Sequence, residues 1–202
     1  MAVTNGYCTV AELRDHLGDS GSKLDIDLLE RAINGTSRAI DDYTGRRFWQ
    51  DSTVQTRSYK VWDPYIAWVD DISTATGLIV KTDGTGDYLW STTWLSTDYE
   101  LEPDNADANG KPWWRIVAAG SQTFPVSRRR KTLQITAKFG WASIPDQINE
   151  AAILKAASLF KRKDAVLGVV SFADFGPMRI SRKDHDVVEL IGNYVRSPMG
   201  GM

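Results

Sequence analysis

One cysteine, Cys8, and two histidines, His16 and His185, stand in 202 residues. A lone cysteine excludes an intramolecular disulfide, and histidines so far apart, with no cysteine at ligand spacing, exclude the usual footprint of a transition-metal site. Long apolar runs are absent too: Gly77 to Val80 and Ala165 to Val170 fall far short of the roughly 20 residues that span a bilayer. No charged and then apolar leader opens the chain, so folding in a reducing cytoplasm, away from a membrane, is expected. Neither a G-x-x-x-x-G-K-[ST] loop, a G-x-G-x-x-G turn nor an H-E-x-x-H helix occurs, which removes the familiar nucleotide and metalloprotease signatures. Asp83 and Asp87 bracket two glycines, but the twelve-position calcium loop is missing and a hairpin turn explains them. No cofactor and no metal is expected.

Net charge is small, with 24 Lys+Arg against 26 Asp+Glu, so nothing draws the whole chain to nucleic acid. The two signs are unevenly placed. Residues 1–110 carry 9 basic and 19 acidic side chains, a balance of −10, and residues 111–202 carry 15 and 7, a balance of +8. Opposite charge on two faces would favour head-to-tail association of copies into a ring or filament.

With 42% hydrophobic residues the chain has enough apolar surface for a core, and its length suits one domain or a small domain with an insertion. Thr9 and Glu12 form a capping box ahead of Val10, Leu13 and Leu17, which predicts a helix over 10–17. Leu29, Ala32, Ile33, Thr36, Ile40 and Tyr43 recur at helical spacing from about Asp25, and Gly45 suits the left-handed stop. A third helix follows Pro145, with Ile148, Ala151, Ala152, Ala156, Leu159 and Phe160 as its stripe. A short fourth, capped near Asp184, carries Val187, Val188, Ile191 and Tyr194.

Between residues 50 and 141, β-branched and aromatic runs alternate with Gly, Asn, Asp and Pro signals. Strands are predicted over 54–61, 65–69, 77–82, 87–91, 98–102, 113–118 and 132–139. The last places Leu133, Ile135, Ala137 and Phe139 on one face. The segment with Gly168, Gly176 and Pro177 reads as too irregular for a helix. The expected fold is α+β: a small helical bundle (1–49 and 142–165), an inserted antiparallel β domain (50–141) and a C-terminal arm with a short helix (166–202).

Catalytic signals are thin. Gly18-Asp19-Ser20-Gly21-Ser22 has the look of a serine nucleophile segment with His16 nearby, yet a capped helix precedes it where a β-barrel is required, so a connecting loop is the better reading. No catalytic residue is assigned. Arg128-Arg129-Arg130-Lys131 is either a solvated loop, a phosphate contact or an electropositive protein interface. Of eight tryptophans, Trp62, Trp68, Trp90, Trp94, Trp113 and Trp114 lie in the β region. Buried, they stabilise a sheet without disulfides; exposed, they would stack on sugar rings, which makes a carbohydrate-binding module the alternative function. Trp113 and Trp114, adjacent on a strand, face opposite ways, and with Arg128, Arg129 and Arg130 they are the interface candidates of the β domain.

The ordered set Thr9-Val10-Ala11-Glu12-Leu13-Arg14-Asp15-His16-Leu17, Leu28 to Ile33 closing on Ile40-Asp41-Asp42-Tyr43-Thr44-Gly45-Arg46, and Ile144 to Ala151 followed by Leu159 to Lys163 is similar to the head-tail connector, or adaptor, proteins of long-tailed bacteriophages. The stretch Phe172 to Asp184 resembles the C-terminal arm of the variety with a β insert, found in phages of actinobacteria. The resemblance implies a structural virion protein without enzymatic activity, made and assembled in the host cytoplasm and located at the head-tail interface. It implies a dodecameric ring under the portal protein that extends the DNA channel and presents a surface to a stopper or tail-terminator protein. Phe172, Phe175, Met178, Arg179, Ile180 and Arg182 would then be the portal-binding arm, ordered on docking. Double-stranded DNA would pass without specific binding, and since fixed cations would grip phosphates, Asp19, Asp25, Asp27, Asp41 and Asp42 are the expected lumen lining.

Overall fold

A computed structural model describes residues 2–21, 23–162, 169–172, 176–179 and 185–196. The chain divides into two compact units, one made of Met1–Arg46 with Ile144–Ser197, the other containing Arg47–Ser143. Four helices and a six-stranded antiparallel sheet make the fold α+β, a small helical bundle with an antiparallel β region inserted between its second and third helices.

The first unit holds α1 (Val10–Leu17), α2 (Ile26–Thr44), α3 (Asp146–Lys161) and α4 (His185–Gly192). The capping box forms: the Thr9 hydroxyl accepts from Glu12 N, and the Glu12 carboxylate accepts from Thr9 N. These bonds supply partners to donors that the helix leaves orphaned. Helix α2 starts at Asp25, whose carboxylate accepts from Asp27 N and Leu28 N, and stops at Gly45 with φ of 65°. Pro145 lies just outside α3 as its cap residue, with ψ of 144°.

Apolar faces of these helices pack on one another, α3 touching α1, α2 and α4. Leu13, Leu29, Ile33, Ile40, Ile148, Ala151, Ala152, Ala156, Val187 and Ile191 are buried there. Three predicted apolar positions depart from expectation: Tyr43, Leu159 and Val188 are exposed, while Ser37 and Thr44 of α2 are buried. Both hydroxyls bond to the carbonyl four residues back, Ile33 O and Ile40 O at 2.8 Å, so neither enters the core unsatisfied. The segment ahead of α1 is tied down as well. Tyr7 is fully buried, its N–H donates to Ser37 Oγ, its hydroxyl donates to the Asp41 carboxylate, and its carbonyl accepts from Asn149 Nδ2.

The second unit is the sheet β1 (Gln55–Tyr59), β2 (Ile66–Thr82), β3 (Thr92–Thr93), β4 (Tyr99–Glu102), β5 (Trp113–Ala118) and β6 (Leu133–Phe139), ordered β1-β6-β2-β5-β4 with β3 on β2. Two predicted strands, 65–69 and 77–82, are one 17-residue strand, β2, with register shifts between Trp68 and Ile72, Ile72 and Thr74, and Thr74 and Ile79. Bulges bend a strand and sharpen its twist, so β2 pairs with β5 through its first part and with β6 through its second. Residues 87–91 form no strand; Tyr88 and Trp90 take positive φ, 63° and 50°, which ends the ladder. Strand β6 alternates as expected, every odd-numbered residue from Leu133 to Phe139 being fully buried. These four close a core with Val61, Ala67, Val69, Ile72, Val80, Trp94, Ile116 and Phe124.

In the C-terminal segment, β7 (Val169–Phe172) and β8 (Gly176–Arg179) pair antiparallel, Phe172 opposite Gly176 and Val169 opposite Arg179. A stretch read as too irregular for a helix contains a two-stranded ribbon. The predicted helix cap at Asp184 lies outside the described residues.

Candidate interaction surfaces

Among the described residues no group of three or more His, Cys, Asp or Glu side chains is placed to hold a metal ion. Asp83 shows what the Asp-Gly-Thr-Gly sequence does instead. Its carboxylate, 1% exposed, accepts from Gly86 N at 2.6 Å, Tyr88 N at 2.7 Å and Thr85 Oγ1 at 3.1 Å. Burial opposes the charge, but these donors outweigh it and hold the carboxyl below the ordinary range. Asp87 accepts from Leu89 N at 2.9 Å, and the Arg130 guanidinium donates to Gly86 O. The loop is thereby braced in a conformation that presents Tyr88 and Leu89 to solvent, Leu89 with 76% of its surface exposed.

Of the expected lumen residues, Asp19, Asp25 and Asp41 are engaged, Asp25 as the cap of α2. Asp19 accepts from Lys23 N and Leu24 N and pairs with Arg14 Nε at 3.5 Å; Asp41 pairs with Arg38 Nε at 3.0 Å and receives the Tyr7 hydroxyl. Asp25, Asp27 and Asp42 are exposed. Ser20 is an exposed turn residue beside that Asp19-held loop. Phe172, Met178 and Arg179 fall on β7 and β8, whereas Phe175, Ile180 and Arg182 lie outside the described residues.

In the β unit Arg128, Arg129, Arg130 and Lys131 are all exposed, on a turn shaped by Ser127 Oγ, which accepts from Arg129 N and Arg130 N. Trp113 and Trp114 are both half-buried, and Trp113 packs against the core. Trp94 and Trp141 are buried: Trp94 stacks on Phe124 at 4.5 Å and donates to Thr82 Oγ1, and Trp141 donates to Asp71. Trp68 lies beneath the Arg115 guanidinium, itself paired with Glu102 at 2.8 Å, so one ring face is already covered. Trp62 and Tyr65 remain open, Trp62 being 63% exposed.

Two features escape a linear reading. Arg57 bridges Asp51 and Asp70, at 3.4 and 2.7 Å, lying 4.0 Å over the Phe139 ring, and Arg47 joins Asp51 from four residues away. Burial, and then the Asp70 charge, push the neighbouring Tyr59 hydroxyl up. The second is a shallow cleft between α2 and α3 on either side of Leu159, with Leu28, Ala32, Gly35, Ala39 and Phe160 in its walls. Nothing in the spacing marked position 159 as exposed.

No protein-family model matches the chain, and no curated protein matches it in sequence. Solved structures do. The whole chain aligns with 96% of a chain in the neck of an empty gene transfer agent particle with C6 symmetry, at 18% identity and a TM-score of 0.60. It aligns over the same extents with a chain in the neck of the native particle with C12 symmetry, at 19% and 0.57, and with one in the native virion, at 20% and 0.54. At this identity the likeness concerns the fold: from end to end, the chain is built like a chain of these particles.

Proposed function

We propose that this protein is a structural component of the neck of a phage-like particle, a head-to-tail adaptor that acts without catalysis. The carrying observation is the full-length match to chains in necks with C6 and C12 symmetry. A helical bundle with an inserted sheet is shared over the entire length, so the likeness is not that of one common subdomain. Copies assemble as a ring of twelve beneath the portal protein, continue the DNA channel and offer a surface to a stopper or tail-terminator protein. The site of action is the virion, with assembly in the host cytoplasm; no helix among the described residues is long and apolar enough to cross a membrane.

The arm residues Phe172, Phe175, Met178, Arg179, Ile180 and Arg182 dock on the portal. A two-stranded ribbon is marginal by itself in water, so β7 and β8 gain from such a partner. Twelve weak copies of one contact then add up to firm attachment. Asp25, Asp27 and Asp42 supply acidic lumen lining, and DNA slides past without a fixed phosphate contact.

Electron microscopy of the protein mixed with its portal tests the reading. A closed ring seated on the portal is expected; a protein that stays monomeric and apart overturns it. Replacement of residues 169–179 by a Gly-Ser linker, which leaves α4 in the bundle, is expected to abolish docking, and unimpaired docking would remove the arm from the mechanism. The open rings of Trp62 and Tyr65 favour saccharide stacking as a second reading, which oligosaccharide titration against tryptophan fluorescence would reveal.

A further inference from the structure

Strand β5 joins two loops of opposite sign. Ahead of it, the loop after β4 carries Asp104 and Asp107, both exposed, with Glu100 exposed on β4; Glu102 is taken by Arg115. Beyond its far end, the chain reaches Arg128, Arg129, Arg130 and Lys131, all exposed, before entering β6. Trp113 at the start of β5 pairs with Ile72, and Leu133 at the start of β6 pairs with Thr82, so ten residues of β2 separate the two places. The two loops are thus anchored at different registers of the sheet, the acidic one through β5 and β4 and the basic one through β6.

Both are also held in shape. Ala106 is buried as an anchor, its carbonyl accepts from Lys111 N at 2.8 Å, and Asn109 N donates to Asn105 O. On the basic side Thr132 Oγ1 donates to Pro125 O and Arg130 donates to Gly86 O. Lys111 flanks the acidic loop and Asp87 the basic one; each lowers the local charge without reversing its sign.

We infer that the basic turn at Arg128, Arg129 and Lys131 of one copy docks against the Asp104–Asp107 loop of the next copy in the ring. The inference rests on the ring reading above and names its subunit contact. A cyclic assembly needs two different, mutually complementary patches on every copy, and two exposed loops of unlike charge on one unit meet that need. Such contacts speed encounter and fix register, and they weaken with salt.

The test uses two charge-reversal variants of the full chain, Arg128→Glu/Arg129→Glu and Asp104→Lys/Asp107→Lys, with rings on the portal counted by electron microscopy at low salt. Each variant alone is expected to lose at least about tenfold in ring yield. An equimolar mixture should restore rings, because alternating copies pair Glu with Lys at one contact and Arg with Asp at the next. Variants that assemble as well as wild type overturn the inference while leaving the neck reading intact, provided wild type forms rings. Loss in both variants without rescue by mixing overturns it as well, and circular dichroism of each then reports whether folding failed. A wild type that forms no ring overturns both.

Discussion

Gly140 illustrates how much one residue can decide. Its φ is 105°, and a Cβ built there would sit 1.9 Å from Trp49 O, where the chain entering the β unit passes the chain leaving it. Gly140→Ala combines a disfavoured backbone angle with a backbone clash and is expected to destabilise by about 2–4 kcal/mol, read from urea denaturation. Asp83 acts through charge instead. Because its carboxyl is held below the ordinary value of about 3.9, its contribution is complete above that pH and is lost as pH falls through the lower folded value. Between pH 5 and pH 2 the wild type should therefore lose stability more steeply than Asp83→Asn; superimposable curves would refute the role given to the carboxylate. The turn itself was legible from Asp83-Gly84-Thr85-Gly86. That its carboxylate is buried was not, since the turn is braced from outside by Arg130, which donates to Gly86 O from 44 residues further along the chain.

At the scale of elements, helix ends were the clearest text. Thr9 with Glu12, Asp25 and Gly45 act locally, through bonds within four residues, and all three work as their sequence suggests. Thr9→Ala should cost about 1 kcal/mol by thermal or urea unfolding, with the Glu12→Gln variant losing less because its amide oxygen still accepts from Thr9 N. Strand β2 was misread for a complementary reason. The residues between 69 and 77 include polar Asp70, Asp71, Ser73 and Thr74, which break the period of two. The structure satisfies them from elsewhere: Asp70 by Arg57 and Tyr59, Asp71 by Trp141, Ser73 by Gln50 and Lys138 O. With those partners in place the strand continues through its bulges. Similarly, Tyr88 and Trp90 have strand-like side chains but a backbone bent by the Asp83 and Asp87 bonds.

On the scale of the molecule, each unit has its own core, and the β unit closes its own ends. Asp51 N donates to Phe139 O at 2.8 Å, Gly140 N to Asp71 O at 2.8 Å, and Phe48 meets Trp141 at 5.3 Å. A fragment of residues 47–143 is accordingly expected to fold alone, with a cooperative thermal transition and a native-like near-ultraviolet signal from Trp94 and Trp141. A broad, noncooperative melt would show that the sheet depends on the helices.

Residues 10–17, 25–45 and 133–139 were readable because capping and periodicity are properties of neighbouring residues, and so was the α+β class with its inserted sheet. The resemblance to head-tail adaptors came from the order of such segments. Only the folded chain decided that Tyr43 and Leu159 leave the core, that Arg57 gathers Asp51 and Asp70, and that the oppositely charged loops flanking β5 are both exposed. Those outcomes depend on contacts between residues far apart in the chain, and solvent exposure is settled only when every other element has found its place.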